Sequence, residues 1–163
     1  MVEVLGVTIK IGGMKKRNII VAFVPPKTNT WKIEHKEMQE EVLKCLGSVL
    51  REDERTLLAG ALNCRNVDWR DMEVVRNAGS WSKKMLHLAM VNTLDQWVEE
   101  ATRYRGDEEP SLLDLVFTKK PEPRPNIHKQ SPMGKSDHLL LKIKMQEWDM
   151  QNCTEDYKKE RLN

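Results

Sequence analysis

Asn18-Ile19-Ile20-Val21-Ala22-Phe23-Val24-Pro25-Pro26 is the stretch from which the fold is read. It is apolar almost throughout and rich in β-branched residues, which predicts a strand buried on both faces of a sheet. The two prolines end it, because proline has no N–H to give to a ladder. Toward the N-terminus, Val2, Val4, Val7, Ile9 and Ile11 follow β-type alternation with a phase slip near Leu5-Gly6, and predict a second strand. Gly12-Gly13 and Met14-Lys15-Lys16-Arg17 supply the turn between them, so the pair reads as a hairpin with a loop longer than two residues.

Toward the C-terminus, Met38, Val42, Cys45, Leu46 and Val49 recur at helical spacing among Glu and Lys residues. They predict an amphipathic helix from about Trp31 to Leu50, with Thr30 as its N-cap. Thr56-Leu57-Leu58-Ala59-Gly60 reads as a strand running into a polar loop from Asn63 to Asp71. Ser80 is a candidate cap for a second helix that buries Trp81, Met85, Leu88 and Ala89. Strands are predicted over Thr93 to Val98 and Leu112 to Thr118, separated by a polar turn from Arg103 to Pro110. Pro121, Pro123 and Pro125 mark a loop. A last strand follows over His138 to Met145, where Leu139, Leu141, Ile143 and Met145 alternate with other residues. From Glu147 onward the chain is polar and charged, and reads as a tail. Strands and helices in this order, without an internal repeat, make an α/β or α+β layered domain.

Composition narrows the function classes without choosing among them. The 163 residues, 39% hydrophobic and 32% charged, suit one soluble globular domain. The 27 basic and 25 acidic residues leave a net charge of +2, too balanced for long-range attraction alone to announce a nucleic-acid partner. No apolar run approaches the roughly 18 residues of a membrane span, and the N-terminus has no signal-peptide pattern, so an intracellular protein with no membrane partner is expected. Cys45, Cys64 and Cys153 lie far apart and read as separate reduced thiols. His35, His87 and His128 are assigned to solvated faces or loops.

Three places could carry chemistry. Ser136-Asp137-His138 sets a carboxylate and an imidazole at the mouth of an apolar strand, although the same residues suit a polar strand-entry turn. Adjacent strand residues face opposite ways, so both serve one site only if the strand end is twisted or looped. Asp114 sits within the apolar run Ser111 to Phe117, where a carboxylate is costly to bury without a partner; a histidine would supply one, and a water-facing edge is the competing reading. Asn63 leaves the end of a strand, as a ligand or as a turn former.

Several ordered blocks together carry a resemblance: Val21 to Asn29, Leu57 to Asn63 with Cys64 and Val67-Asp68-Trp69, Thr102-Arg103, Ser111 to Thr118, and Gly134-Lys135-Ser136-Asp137-His138. From about Ile19 to Ile143 the chain resembles the C-terminal part of an endonuclease/exonuclease/phosphatase domain, of the kind found ahead of reverse transcriptase in non-LTR retrotransposons. The resemblance implies a four-layered α/β sandwich, two packed sheets flanked by helices, here partial and lacking its first strands. It implies that residues 1–146 form a truncated domain and 147–163 a polar tail. It also implies magnesium-dependent phosphodiester hydrolysis that nicks DNA, a reverse transcriptase domain as ancestral partner, and a nuclear location if the ancestral role is kept.

Carried over by position, His138 handles a proton or stabilises charge at the phosphate, Asp114 orients it, Asp137 helps hold the metal, and Asn63 bonds the phosphate. Thr102, Arg103 and Ser136 fall at substrate-binding positions. Two positions depart from the family pattern. Ala61 stands where the family has an aspartate, within Gly60-Ala61-Leu62-Asn63, and Phe23 stands where it has a tyrosine. Nothing in Met1 to Lys16 resembles the family's asparagine and metal-binding glutamate blocks, and Glu3 is the one carboxylate there. The expected protein is a retrotransposon-derived endonuclease-like domain with impaired catalysis and weak magnesium affinity; the alternatives are an active magnesium-dependent endonuclease and a non-catalytic DNA-binding or scaffold protein. Unpaired sheet edges also make edge-strand self-association an expectation.

Overall fold

Branched aliphatic residues alternating along short runs build most of the structure, a computed structural model that describes residues 3–11, 15–27, 34–51, 55–120 and 122–146. The elements are β1 (Glu3–Ile11), β2 (Lys15–Phe23), α1 (Glu34–Val49), β3 (Arg55–Ala61), β4 (Val67–Asp68), β5 (Glu73–Val74), α2 (Ser80–Val91), β6 (Leu94–Gln96), β7 (Asp114–Lys119), β8 (Asn126–Gln130) and β9 (Leu140–Lys144). Five strands form the main sheet in the order β1-β2-β3-β7-β6. Only the β2–β3 pair in it is parallel, and α1 makes the crossover between those two strands. Two short hairpins, β4–β5 and β8–β9, form sheets of their own.

The two faces of the main sheet are covered differently. Ile20, Ala22, Val24, Leu58, Leu115 and Phe117 meet Val42, Leu46 and Leu50 from the first helical segment and Trp81, Met85 and Ala89 from α2 in one buried cluster. Trp69 sets its ring edge against Phe117, with centroids 5.1 Å apart. On the opposite face Leu57, Val98 and Val116 are covered by Ile127, Leu141 and Ile143 of the β8–β9 sheet and by Met145 just after it. Helices, main sheet and second sheet thus make a partial α/β sandwich.

Several expectations change. The strand around Ile20 is covered on both faces over its first half only: Ala22 is fully buried, whereas Val21 is 47% and Phe23 43% exposed. The second sheet is two strands wide and covers Ile19, but it does not extend over Val21. β1 pairs with β2 continuously from Glu3↔Phe23 to Ile11↔Lys15, so no slip occurs in the register. The apolar residues change face instead: Val4 packs on the core, and Leu5, Val7 and Ile9 lie exposed on the other side.

The polar loop after Asn63 contains the β4–β5 hairpin, and the proline-rich loop leads into β8. Cys45 is exposed despite its place in the helical stripe. His35 is buried instead of solvated, with Nε2 2.9 Å from the Pro25 carbonyl. Ser80 is the first residue of α2, and Gly79 takes the N-cap position without a side-chain bond. Thr30, Trp31, the Gly12-Gly13 turn, Asn29, Pro121, Cys153 and the tail from Glu147 lie outside the described residues. Among the described residues no helix is long and apolar enough to cross a membrane.

Gly60 lets β3 close onto β2. Its φ is +150°, and a Cβ there would lie 1.8 Å from the Ala22 carbonyl oxygen. This approach draws together the ends of the two strands, from which the candidate site grows.

Candidate active site

Strand register sets the site's floor. Ala61 of β3 faces Asp114 of β7 as its pairing partner. The Val24 N–H donates to the Ala61 carbonyl at 2.9 Å, and the Leu62 N–H donates to the Leu113 carbonyl at 3.0 Å. Past these bonds the chain turns at Asn63, whose φ of +48° is one that asparagine tolerates better than most residues. The Asn63 amide donates to the Val24 carbonyl at 2.6 Å, and the Trp81 indole donates to the Leu62 carbonyl at 2.8 Å. The side chain of Asn63 is therefore held in place before any ligand arrives.

The wall opposite is built from two segments tied at Thr102. Its hydroxyl accepts from the N–H groups of Leu113 at 3.2 Å and Asp114 at 3.1 Å, and its carbonyl accepts from Leu139 at 2.8 Å. Tyr104 N–H donates to the Asp137 carbonyl at 2.8 Å, and Arg103 bridges to both Ser111 and His138. Thr102 is fully buried, so it serves as the clamp that fixes Asp114 and His138 relative to one another. Ser136 accepts from the His138 N–H at 3.1 Å and shapes the turn entering β9.

His138 Nδ1 lies 2.8 Å from Asp114 Oδ2. A carboxylate accepts, so Nδ1 carries the proton and Nε2 is left free to take or give one. The cost of a carboxylate within an apolar strand is met by this bond. Asp137 and His138 precede β9, where the backbone bends and forms only an isolated bridge, and both line one cavity of about 500 Å³. The strict alternation of a strand does not separate them there. Phe23, Ala61, Asn63, Arg65, Arg103 and Arg105 share that cavity.

Electrostatics around Asp137 are set by arginine. Arg103 Nε donates to Asp137 Oδ2 at 2.9 Å, and its Nη2 lies 3.6 Å from Glu108 Oε2. The Arg103 bond, with smaller help from nearby positive charge, holds the Asp137 carboxyl below its ordinary value. Magnesium requires several oxygen ligands in near-octahedral order. The carboxylates lining the cavity, Asp137 and Glu108, are both engaged by Arg103, and Ala61 offers no oxygen. Among the described residues no group of three or more His, Cys, Asp or Glu is arranged to hold a metal, so the residues in view do not fit the ion.

Asn63, Asp114, Asp137, His138, Arg103 and the two departing positions, Phe23 and Ala61, thus converge, with Thr102 and Ser136 behind them. Arg65, Arg105 and Glu108 enter the site without having been singled out in the sequence. Their one signal was position, because Arg65 follows Asn63 by two residues and the others fall in the turn after Arg103.

Comparison with curated proteins finds no match. A family model described as endonuclease-reverse transcriptase matches residues 17–142, a segment that begins within β2, ends within β9 and contains the residues gathered around the cavity. The chain therefore belongs to the endonuclease-reverse transcriptase family, the retrotransposon-associated branch of the endonuclease/exonuclease/phosphatase proteins.

Proposed function

We infer that the chain is a retrotransposon-derived endonuclease-like domain that still binds a nucleic-acid phosphodiester but hydrolyses it poorly. The carrying observation is the contrast within one cavity: the His138–Asp114 pair is intact at 2.8 Å, while Ala61 and Phe23 line the same cavity without a reactive side-chain oxygen. His138 Nε2 can exchange a proton with a phosphate oxygen or leaving group, and Asn63 can present polar atoms to a phosphate. An in-line attack also needs an oriented water, and Ala61 gives it no base. Loss of one positioned acid-base group removes a factor on the order of 10²–10⁴ in rate. Phe23 keeps a ring against the cavity and offers no hydroxyl to the phosphate. The arginine pairing of Asp137 supports weak magnesium affinity as well.

A plasmid-nicking assay tests this reading. Supercoiled DNA incubated with the protein and magnesium is expected to stay supercoiled over times that relax it fully with a competent nuclease. Ala61→Asp restores little activity on this view, because Asp137 remains bound to Arg103. Metal-dependent relaxation by the native chain, abolished by His138→Ala, would establish the second reading, an active DNA endonuclease, for which the intact His138–Asp114 pair speaks.

A further inference from the structure

Arginine stands where a cation is needed. Arg103 bonds Asp137 at 2.9 Å and lies 3.6 Å from Glu108, and its side chain is only 14% exposed. Two carboxylates facing a bound phosphate would repel it, and a buried guanidinium shared between them removes much of that repulsion without any added ion. The cavity lining then carries three arginines, Arg65, Arg103 and Arg105, against the two carboxylates Asp137 and Glu108; Arg105 Nε lies 3.8 Å from Glu108 Oε1, and the Asp114 carboxylate is taken up by His138. Arg65 is exposed and makes no ion pair among the described residues. It also borders an adjoining cavity of about 580 Å³ lined by Lys27 and Lys36, so Arg65 joins the His138 cavity to one with two further positive side chains.

We propose that this chain holds a nucleic-acid phosphate on arginine in place of a divalent cation: Arg103 is the built-in cation beside Asp137, Arg65 and Arg105 contact the phosphate, and Lys27 and Lys36 receive the strand beyond it. The proposal rests on the phosphodiester-binding reading above and deepens it. Guanidinium suits the task because its planar fork matches two phosphate oxygens at once and keeps its charge at any working pH.

Fluorescence anisotropy with a labelled DNA duplex, in EDTA and then in excess magnesium, tests the proposal. The affinity is expected to be equal in the two conditions to within about twofold. Arg65→Gln and Arg105→Gln, both at exposed positions and checked for folding by circular dichroism, are each expected to lower the slope of log affinity against log salt by about 0.9. Manganese supplies a readout independent of binding, since a paramagnetic ion held at Asp137 would broaden the ring signals of His138; those signals are expected to stay sharp. Duplex binding that appears only with magnesium, selective broadening at His138, or unchanged salt slopes in both arginine variants would overturn the proposal and leave phosphodiester binding standing. Absence of duplex binding with and without metal would instead remove the phosphodiester-binding reading, and the proposal with it.

Discussion

At the scale of single residues, the carboxylate of Asp137 and the thiol of Cys64 show how partners and burial set protonation in opposite directions. Arg103 lowers the Asp137 value, so this group favours the folded state above the ordinary carboxylate range, and that contribution is lost as pH falls through the lowered value. Arg103→Gln is expected to raise the Asp137 carboxyl back toward the ordinary carboxylate range in a carbon-detected NMR titration. The stability gap between variant and native chain should narrow as pH falls through the lowered Asp137 value. Cys64 is pushed up to about 12 by burial. It stays a neutral thiol in the folded chain, and the preference is present below the unfolded thiol value and is lost as pH rises toward the folded one. Alkylation at pH 8 followed by peptide mapping should label exposed Cys45 and spare Cys64 until denaturant is added. The pairing of His138 with Asp114 was half legible, because a carboxylate in an apolar strand calls for a partner. The engagement of Asp137 by Arg103 was not, since 34 residues separate them and backbone ties from Thr102 and Tyr104 bring their segments together.

At the scale of elements, the β1–β2 hairpin departs furthest from expectation. Its sequence reads as a doubly buried strand with a shifted neighbour, yet one face carries Leu5, Val7, Ile9, Val21 and Phe23 in the open. Apolar content predicts that a strand will form, but covering both faces depends on a second layer wide enough to reach them. Here β8–β9 ends short of that area. An open edge strand with an apolar face favours association. Replacing Leu5 and Val7 with Thr and Lys is expected to reduce concentration-dependent self-association in sedimentation experiments. It should change the thermal midpoint little, because neither side chain is buried. β8 escaped notice for a different reason. Only Ile127 of its five residues is partly buried, so it lacks the alternation that announces a strand.

At the scale of the whole molecule, the site and a buried ion cluster sit at opposite ends of β2 and β3. Arg17 bonds Glu122 at 2.5 Å, and Arg55 Nε lies 3.5 Å from the same carboxylate, whose side chain is wholly inaccessible. Removing one member of such a cluster leaves buried charge without compensation. Glu122→Ala is therefore expected to lower the unfolding free energy by about 3–5 kcal/mol in urea titrations, more than Glu122→Gln, which keeps hydrogen-bonding capacity. Short-range pattern in the sequence determined the order of the main strands and helices and the chemical identity of Asn63, Asp114, Asp137 and His138. It also set alanine at position 61 and phenylalanine at position 23, because residue type and position are local properties. The tertiary structure alone decided which charge meets which carboxylate, which strand face stays open, and which arginines share the cavity. Each of these depends on how far one layer reaches over another and on segments brought together from distant parts of the chain.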